Sequence, residues 1–185
     1  MAVRYDQFKK KLLLPPGAAA PTRLSYGELE AQAITREHLA DDVAGINASL
    51  ELIRQTRGGA WPTEPVTAEG NFADLVWHEC EFRDEKSFTY AVYHAQHGYI
   101  GCCYLYPLGG RTPLTAELAD GYDVDVSWWV TPPAYERGDY AALYAALQHW
   151  LAERFAFWRA YYSNLELPGT TPPGEAINDQ PQTAT

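Results

Sequence analysis

The sequence predicts one mixed α/β domain, and three observations carry that prediction. Residues 88–93, 99–106 and 123–131 are three successive runs of aromatic and β-branched side chains separated by turn-forming text, the pattern of antiparallel strands. Apolar residues recur at helical spacing in three other segments, and the last of these, residues 140–154, is long enough to carry a parallel crossover. The chain has 185 residues, 46% of them hydrophobic and 14% aromatic, which suffices for one substantial core and not for two full domains.

Residues 1–26 hold Pro15, Pro16, Gly17 and Pro21 around an alanine run and read as an N-terminal arm. Residues 28–34 suit a short edge strand. Thr35 is then placed to cap a helix whose Leu39, Val43, Ile46, Leu50 and Ile53 recur at steps of four and three, and Gly58-Gly59 stops it. Beyond an extended link at Trp61-Pro62, the residues Phe72, Leu75, Val76 and Phe82 mark one face of a second helix. Seven acids against the single Arg83 between residues 64 and 85 make its outer face either solvated or the lining of a site for a positive group.

The first two strong strands form a hairpin across residues 94–98, and Pro107 ends it. Residues 108–122, with Gly109, Gly110 and Pro113, read as a loop before the strand DVDVSWWVT. Pro132-Pro133 breaks that strand, residues 134–139 make a turn, and Leu143, Leu147 and Leu151 mark the helix that follows. Residues 155–164 complete the body as a last strand. The domain thus spans residues 27–165, and residues 166–185, with four prolines and no aromatic ring, are expected to form a disordered tail.

The net charge is −10, and residues 1–26 alone carry five basic groups and one acid, so the remainder carries −14. Such a body argues against nucleic acid, whose phosphates need clustered Lys and Arg, and favours cationic molecules near its surface. No apolar run approaches bilayer-spanning length, so no membrane partner is expected. Cys80, Cys102 and Cys103 have neither the number nor the spacing of a disulfide framework or a zinc site, which fits a reducing, cytoplasmic setting. His78-Glu79-Cys80-Glu81 and His94-x-x-His97 contain metal-ligand types, but the first is a run of helix-surface neighbours and the second flanks a turn, so no metal is expected. The two strand cysteines read as core, with no neighbour in sequence to lower a thiol pKa. Trp128 and Trp129 cannot both point inward, so one must face a cleft or the opposite layer. The aromatic content is compatible with a homodimer.

The most informative segment is residues 123–142, where a strand empties into a turn and a helix start. Free amides and the helix dipole make such a junction a natural anion site, to which Arg137 adds a cation and Gly138 close backbone approach. The plain alternative is that Arg137 pairs with Glu136 or Asp139. Here the chain resembles the GNAT superfamily of acetyl-CoA-dependent N-acetyltransferases, over roughly residues 28–164. The likeness rests on element order, on DVDVSWWV leading into YERGDYAALYAAL, and on the closing strand. Small bacterial GNAT-like proteins of unassigned substrate also carry the Trp61-Pro62 link, the Phe88-Thr89-Tyr90 strand, the Tyr106-Pro107 strand end and the YYSN ending at residues 161–164. Against the superfamily's (Gln/Arg)-x-x-Gly-x-(Gly/Ala) loop, Arg137 and Ala142 match the ends while Tyr140 replaces the central glycine. A side chain there would crowd a pyrophosphate unless a shift of the loop lets Gly138 serve instead.

The resemblance implies a GNAT fold with acetyl-CoA as co-substrate and an amine as acceptor, small or borne on a peptide. It implies a diphosphate at Arg137, Gly138, Asp139, Tyr140 and Ala142, and a pantetheine arm in a gap between the last two strands, against the backbone of Trp129 and Val130 and beside Asn164. The amine must lose a proton, so a carboxylate or water chain acts as base and a hydroxyl returns a proton to the thiolate. Asp125 is the base candidate, on one strand face with Asp123, Ser127 and Trp129. Tyr161, Tyr162 and Ser163 are the acid candidates. The plain alternatives are a structural pairing for Asp125 and sheet packing for the tyrosines. Beside the transferase stands a GNAT-fold module with little catalysis that binds a ligand or regulates, which Tyr140 favours. An aromatic carbohydrate-binding domain fits poorly because the helices are well marked.

Overall fold

The computed structural model describes residue 12 and residues 14–169. Its elements are β1 (Arg23–Tyr26), β2 (Leu29–Ala33), α1 (Leu39–Ala48), α2 (Leu50–Thr56), α3 (Ala68–Arg83), β3 (Phe88–His94), β4 (Gly98–Tyr106), α4 (Ala116–Gly121), β5 (Val124–Val130), α5 (Pro132–Glu136), α6 (Asp139–Trp150) and β6 (Ala160–Tyr162). The six strands form one sheet in sequential order, antiparallel from β1 to β5 and parallel between β5 and β6. The mixed α/β prediction holds, with α5 and α6 as the crossover that a parallel pair requires.

Trp128 and Trp129 show how one strand serves two layers. Alternation sends them to opposite faces of β5, and both are fully buried. Trp128 joins the core under α6, with Phe88, Tyr90, Leu147, Trp150 and Phe155. Trp129 joins a second core with Ile34, Ile46, Ile53 and Leu75 beneath α1, α2 and α3. The sheet is therefore filled on both sides, and neither indole is left for a cleft.

Several boundaries differ from the sequence reading for identifiable reasons. The expected edge strand is the inner half of a hairpin, because Gly27 (φ 57°) lets Tyr26 pair with Leu29 and adds β1 as the true edge. Thr35 caps as expected, but first a 3-10 turn over Arg36–His38, and Ser49 separates α1 from α2 with its hydroxyl bonded to the Gly45 carbonyl at 2.6 Å. The loop at residues 108–122 contains α4, started by Thr115 accepting from the Leu118 amide. Pro132-Pro133 ends β5 and also opens α5, since proline suits a helix's first positions. A π turn at Leu151–Phe155 follows α6, so the last strand shortens to three residues. Of the expected arm and tail, residues 1–11, 13 and 170–185 lie outside the described residues. Leu14 and Leu167 pack on the core, and the Trp150 indole donates to the Ser25 carbonyl at 3.0 Å.

Candidate functional site

Strands β5 and β6 run in register through Val124↔Ala160, Asp125↔Tyr161 and Val126↔Tyr162, and the Ser163 amide adds one more bond to the Val126 carbonyl at 2.9 Å. There the ladder stops, four residues before β5 ends. At that point the Ser163 hydroxyl donates to Asp125 Oδ1 at 2.5 Å, while the Thr112 amide donates to Oδ2 at 3.1 Å. Asp125 is fully buried. Two of the residues named from sequence are thus brought into one carboxylate–hydroxyl pair.

Two arginines surround this pair on the side of α2. Arg111 Nη1 bonds to the Ser163 hydroxyl at 2.6 Å and to its carbonyl at 3.0 Å, and Nη2 bonds to the Arg57 and Gly58 carbonyls at 2.7 and 3.2 Å. Burial and the neighbouring Arg57 pull the Arg111 guanidinium below its usual range, partly offset by Asp125. Arg57 Nε donates to Ser127 Oγ at 3.1 Å, and its guanidinium lies 4.2 Å from the centre of the Tyr104 ring. Two cavities share Arg57 and Trp61 in their linings. One, of 370 Å³, is lined by Arg111, Thr112 and Ser163, and the other, of 210 Å³, by Asp74, His78, Tyr104 and Tyr106. A 540 Å³ cavity at the start of β5 has Asp123 and Arg159 in its lining, and these form a closed ion pair at 2.5 Å.

His78 stands between two acids of its own helix, 3.5 Å from Asp74 and 3.7 Å from Glu81. Burial alone would lower its pKa, but the hydrogen bonds to Asp74 and Glu81 prevail and raise it from 6.5 to about 9. The folded chain therefore holds this proton more tightly than the unfolded one. Its stabilising effect is complete below pH 6.5 and is lost as pH rises through about 9. The melting temperature should fall across that window, and His78→Gln should flatten the fall. Parallel curves for the two proteins would contradict this assignment.

The remaining candidates are distributed differently. Trp128 presents its amide and carbonyl towards β6, where the Asn164 carboxamide takes both, accepting from the amide at 3.1 Å and donating to the carbonyl at 2.9 Å. Alternation then turns the Trp129 backbone into the ladder with β4, so of the expected pantetheine contacts only Val130 presents main chain to the gap. Asn164 Nδ2 also donates to the Tyr140 hydroxyl at 2.6 Å, which in turn donates to the Glu166 carbonyl at 2.7 Å. The Glu166 amide reaches the Thr56 carbonyl at 3.0 Å, so residues 164–166 strap the gap from α6 to α2. Burial pushes the Tyr140 phenol above its usual range, so it stays protonated.

Arg137 pairs with Asp139 at 2.7 Å, the plain alternative weighed from sequence. Gly138 takes φ 89° ahead of α6 with no side-chain cap, and a Cβ there would meet nothing within 4 Å. Ala142 donates its amide to the Gly138 carbonyl at 3.1 Å. Tyr161 packs on Tyr122 at 5.3 Å, whereas Tyr162 lies on the α6 face against Tyr144 at 4.9 Å, so neither joins Ser163. Among the described residues no group of three metal-ligating side chains is assembled, and no helix is long and apolar enough to cross a membrane.

Arg57 and Arg111 were not singled out by the sequence reading. A faint signal exists, since Arg57 directly precedes Gly58-Gly59 and Arg111 directly follows Gly109-Gly110, so each sits at a glycine turn.

No protein-family model and no curated protein matches the chain. Solved structures do. A ribosomal L7/L12 alpha-N-protein acetyltransferase, RimL, in complex with coenzyme A superposes with TM-score 0.54 at 13% identity, covering 72% of this chain and 67% of that one. The ribosomal-protein-S5-alanine acetyltransferase of Vibrio fischeri gives 0.53 at 11% identity, over 71% and 67%. The microcin C7 self-immunity acetyltransferase MccE, in complex with acetyl-CoA and AMP, gives 0.52 at 10% identity, over 69% and 64%. With its mixed sheet, its parallel last pair and these neighbours, the chain has the fold of the GNAT acetyltransferases.

Proposed function

We propose that this chain is an acyl-CoA-dependent N-acyltransferase that acetylates an amine. One observation carries the reading: buried Asp125 and half-buried Ser163 pair where β5 and β6 stop pairing, and Ser163 lines an open cavity. A free amine has a pKa well above 7 and must shed a proton. The Ser163 hydroxyl can accept that proton while passing its own to Asp125, so the carboxylate serves as base through the hydroxyl. Arg111 fixes the Ser163 oxygen for this relay. Acetyl-CoA, when bound, would supply the thioester carbonyl, whose C–S bond breaks as the N–C bond to the amine forms, the leaving thiolate taking up the proton held by the Asp125–Ser163 pair.

The residues around the gap fit such a donor on one condition. Asn164 offers Trp128 one acceptor and one donor, the same pair that an amide of a pantetheine arm carries. The arm therefore takes those bonds by displacing the Asn164 carboxamide, and the open space at Gly138 leaves room for a diphosphate beside Arg137 once the Asp139 pairing yields. The strap at residues 164–166 favours a second reading, a ligand-binding or regulatory module whose donor gap is held closed by its own side chains.

Calorimetric titration with acetyl-CoA, followed by thiol release over a panel of amines, separates the two. Saturable binding with amine-dependent thiol release supports the transferase. Failure of the wild type to bind, with binding gained in Asn164→Ala, supports the closed module and overturns the first reading.

A further inference from the structure

We infer that the amine acceptor is a small amino acid whose free carboxylate is held by Arg57 while its amine meets Ser163. This rests on the transferase reading for the fate of the amine, but the carboxylate site stands on its own geometry.

Arg57 is 8% exposed, yet no carboxylate pairs with it among the described residues. Its one side-chain hydrogen bond uses Nε, and its other contacts are the faces of Tyr104 and Trp61. No fully buried side-chain nitrogen or oxygen among the described residues lacks a partner. The two Nη groups, which bond to no described residue, are therefore open to the cavities that Arg57 lines. Their paired N–H groups form the fork that a carboxylate matches in bidentate fashion. Burying a guanidinium without an anion is costly, so a site that does so is built for an anion that arrives later.

The carboxylate beside Arg111 is Asp125, whose oxygens are already taken by Ser163 and Thr112. Across the smaller cavity, His78 stands between Asp74 and Glu81. Arg57, Arg111 and His78 thus equal Asp125, Asp74 and Glu81 in number, and what singles out Arg57 is that its Nη groups bond to no described carboxylate.

The two cavities also give the ligand its shape. Both are lined by Arg57 and Trp61, one also by Ser163 and the other also by Tyr104 and Tyr106. An α-carbon placed beside Arg57 directs its carboxylate to the guanidinium and its amine to Ser163, with its side chain towards the rings. A peptide N-terminus, in which that carboxylate is an amide, offers Arg57 no charge.

The test compares L-alanine and L-phenylalanine with their carboxamides on the wild-type protein, by thermal shift without acetyl-CoA and by thiol release with it. Charge-assisted bonds of this kind predict kcat/KM roughly 10- to 100-fold higher for each acid than for its amide. Arg57→Gln should raise KM for the acids far more than for the amides and so abolish the preference for the acid. If acids and amides stabilise and react equally, or neither stabilises, the inference is overturned. If the acids alone stabilise the protein but no thiol is released, the carboxylate site stands and the transferase reading falls. Because the wild-type comparison needs no substitution, an unfolded Arg57→Gln does not rescue the inference.

Discussion

Asp125→Asn should lower the rate of amine acetylation by about 10²- to 10⁴-fold while leaving the fold intact. The substitution keeps size and shape, and the carboxamide oxygen can still accept the Thr112 amide that Asp125 accepts at 3.1 Å. What disappears is the capacity to take a proton from Ser163, whose hydroxyl donates to Asp125 at 2.5 Å. Ser163→Ala removes the other half of the relay and should cost a comparable factor. The double variant should lose little more than either single one, because the two groups act as a unit. Ser163 also anchors Arg111, so thermal melts must accompany the kinetics to separate lost chemistry from lost structure. Wild-type kcat in a folded Asp125→Asn protein, measured as thiol release at saturating acetyl-CoA, would dismiss the relay.

In the proposed transferase the strap would give the donor side a different logic from the acceptor side. At the acceptor side the Nη groups of Arg57 bond to no described residue and would be completed by a ligand. At the donor side the protein completes its own bonds, lending Trp128 a carboxamide from Asn164 and closing Tyr140 on Glu166. A donor arm gains little from bonds the protein already makes, so its affinity must come from other contacts, such as the diphosphate near Gly138. In that reading Tyr140 would act less as an obstacle in the phosphate loop than as one end of the strap that a donor has to lift.

What could be read from sequence was local or periodic. The pairing of β3, β4 and β5 follows from runs of aromatic and β-branched residues with turns between them, and α3 and α6 follow from apolar residues at helical spacing. Asp125 beside the last strand was legible because alternation fixes its face and the closing strand follows the crossover. The α4 helix was hidden by its length, six residues with Asp120-Gly121 at its end, and only the Thr115 cap announces it. Arg57 and Arg111 escaped for a stronger reason. They meet through one bond from a side chain to a backbone carbonyl, between positions 54 residues apart, and no periodicity records such a meeting. The role of Asn164 was hidden similarly, since a side chain that substitutes for a strand leaves no mark in the strand pattern.

Gly101→Ala should destabilise the protein by about 3–5 kcal/mol, the range reserved for strain that a packed core cannot relieve. Gly101 lies on β4 opposite Val130, at a register shift against Val92 and Tyr93, with φ 150°. A Cβ there would stand 2.1 Å from the Trp129 carbonyl oxygen and 2.8 Å from the Val130 Cα. Both are main-chain atoms, so no rotamer change can make room. The strand cannot retreat either, since Trp128 and Trp129 pin it to cores on both faces. At roughly 2–4 °C per kcal/mol for a chain of this size, the melting temperature should drop by about 6–20 °C. Gly121→Ala is the control, because a Cβ there meets nothing within 4 Å and its stability should change by less than about 1 kcal/mol. Equal melting temperatures for the two variants would mean that β4 and β5 are not held at this separation. The close approach has a consequence for the site, because Val130 is the residue of β5 whose main chain faces the gap beyond Asn164. Any displacement that makes room at Gly101 must push Val130 into that gap, so a Gly101→Ala protein that still folds should bind acetyl-CoA more weakly than the wild type.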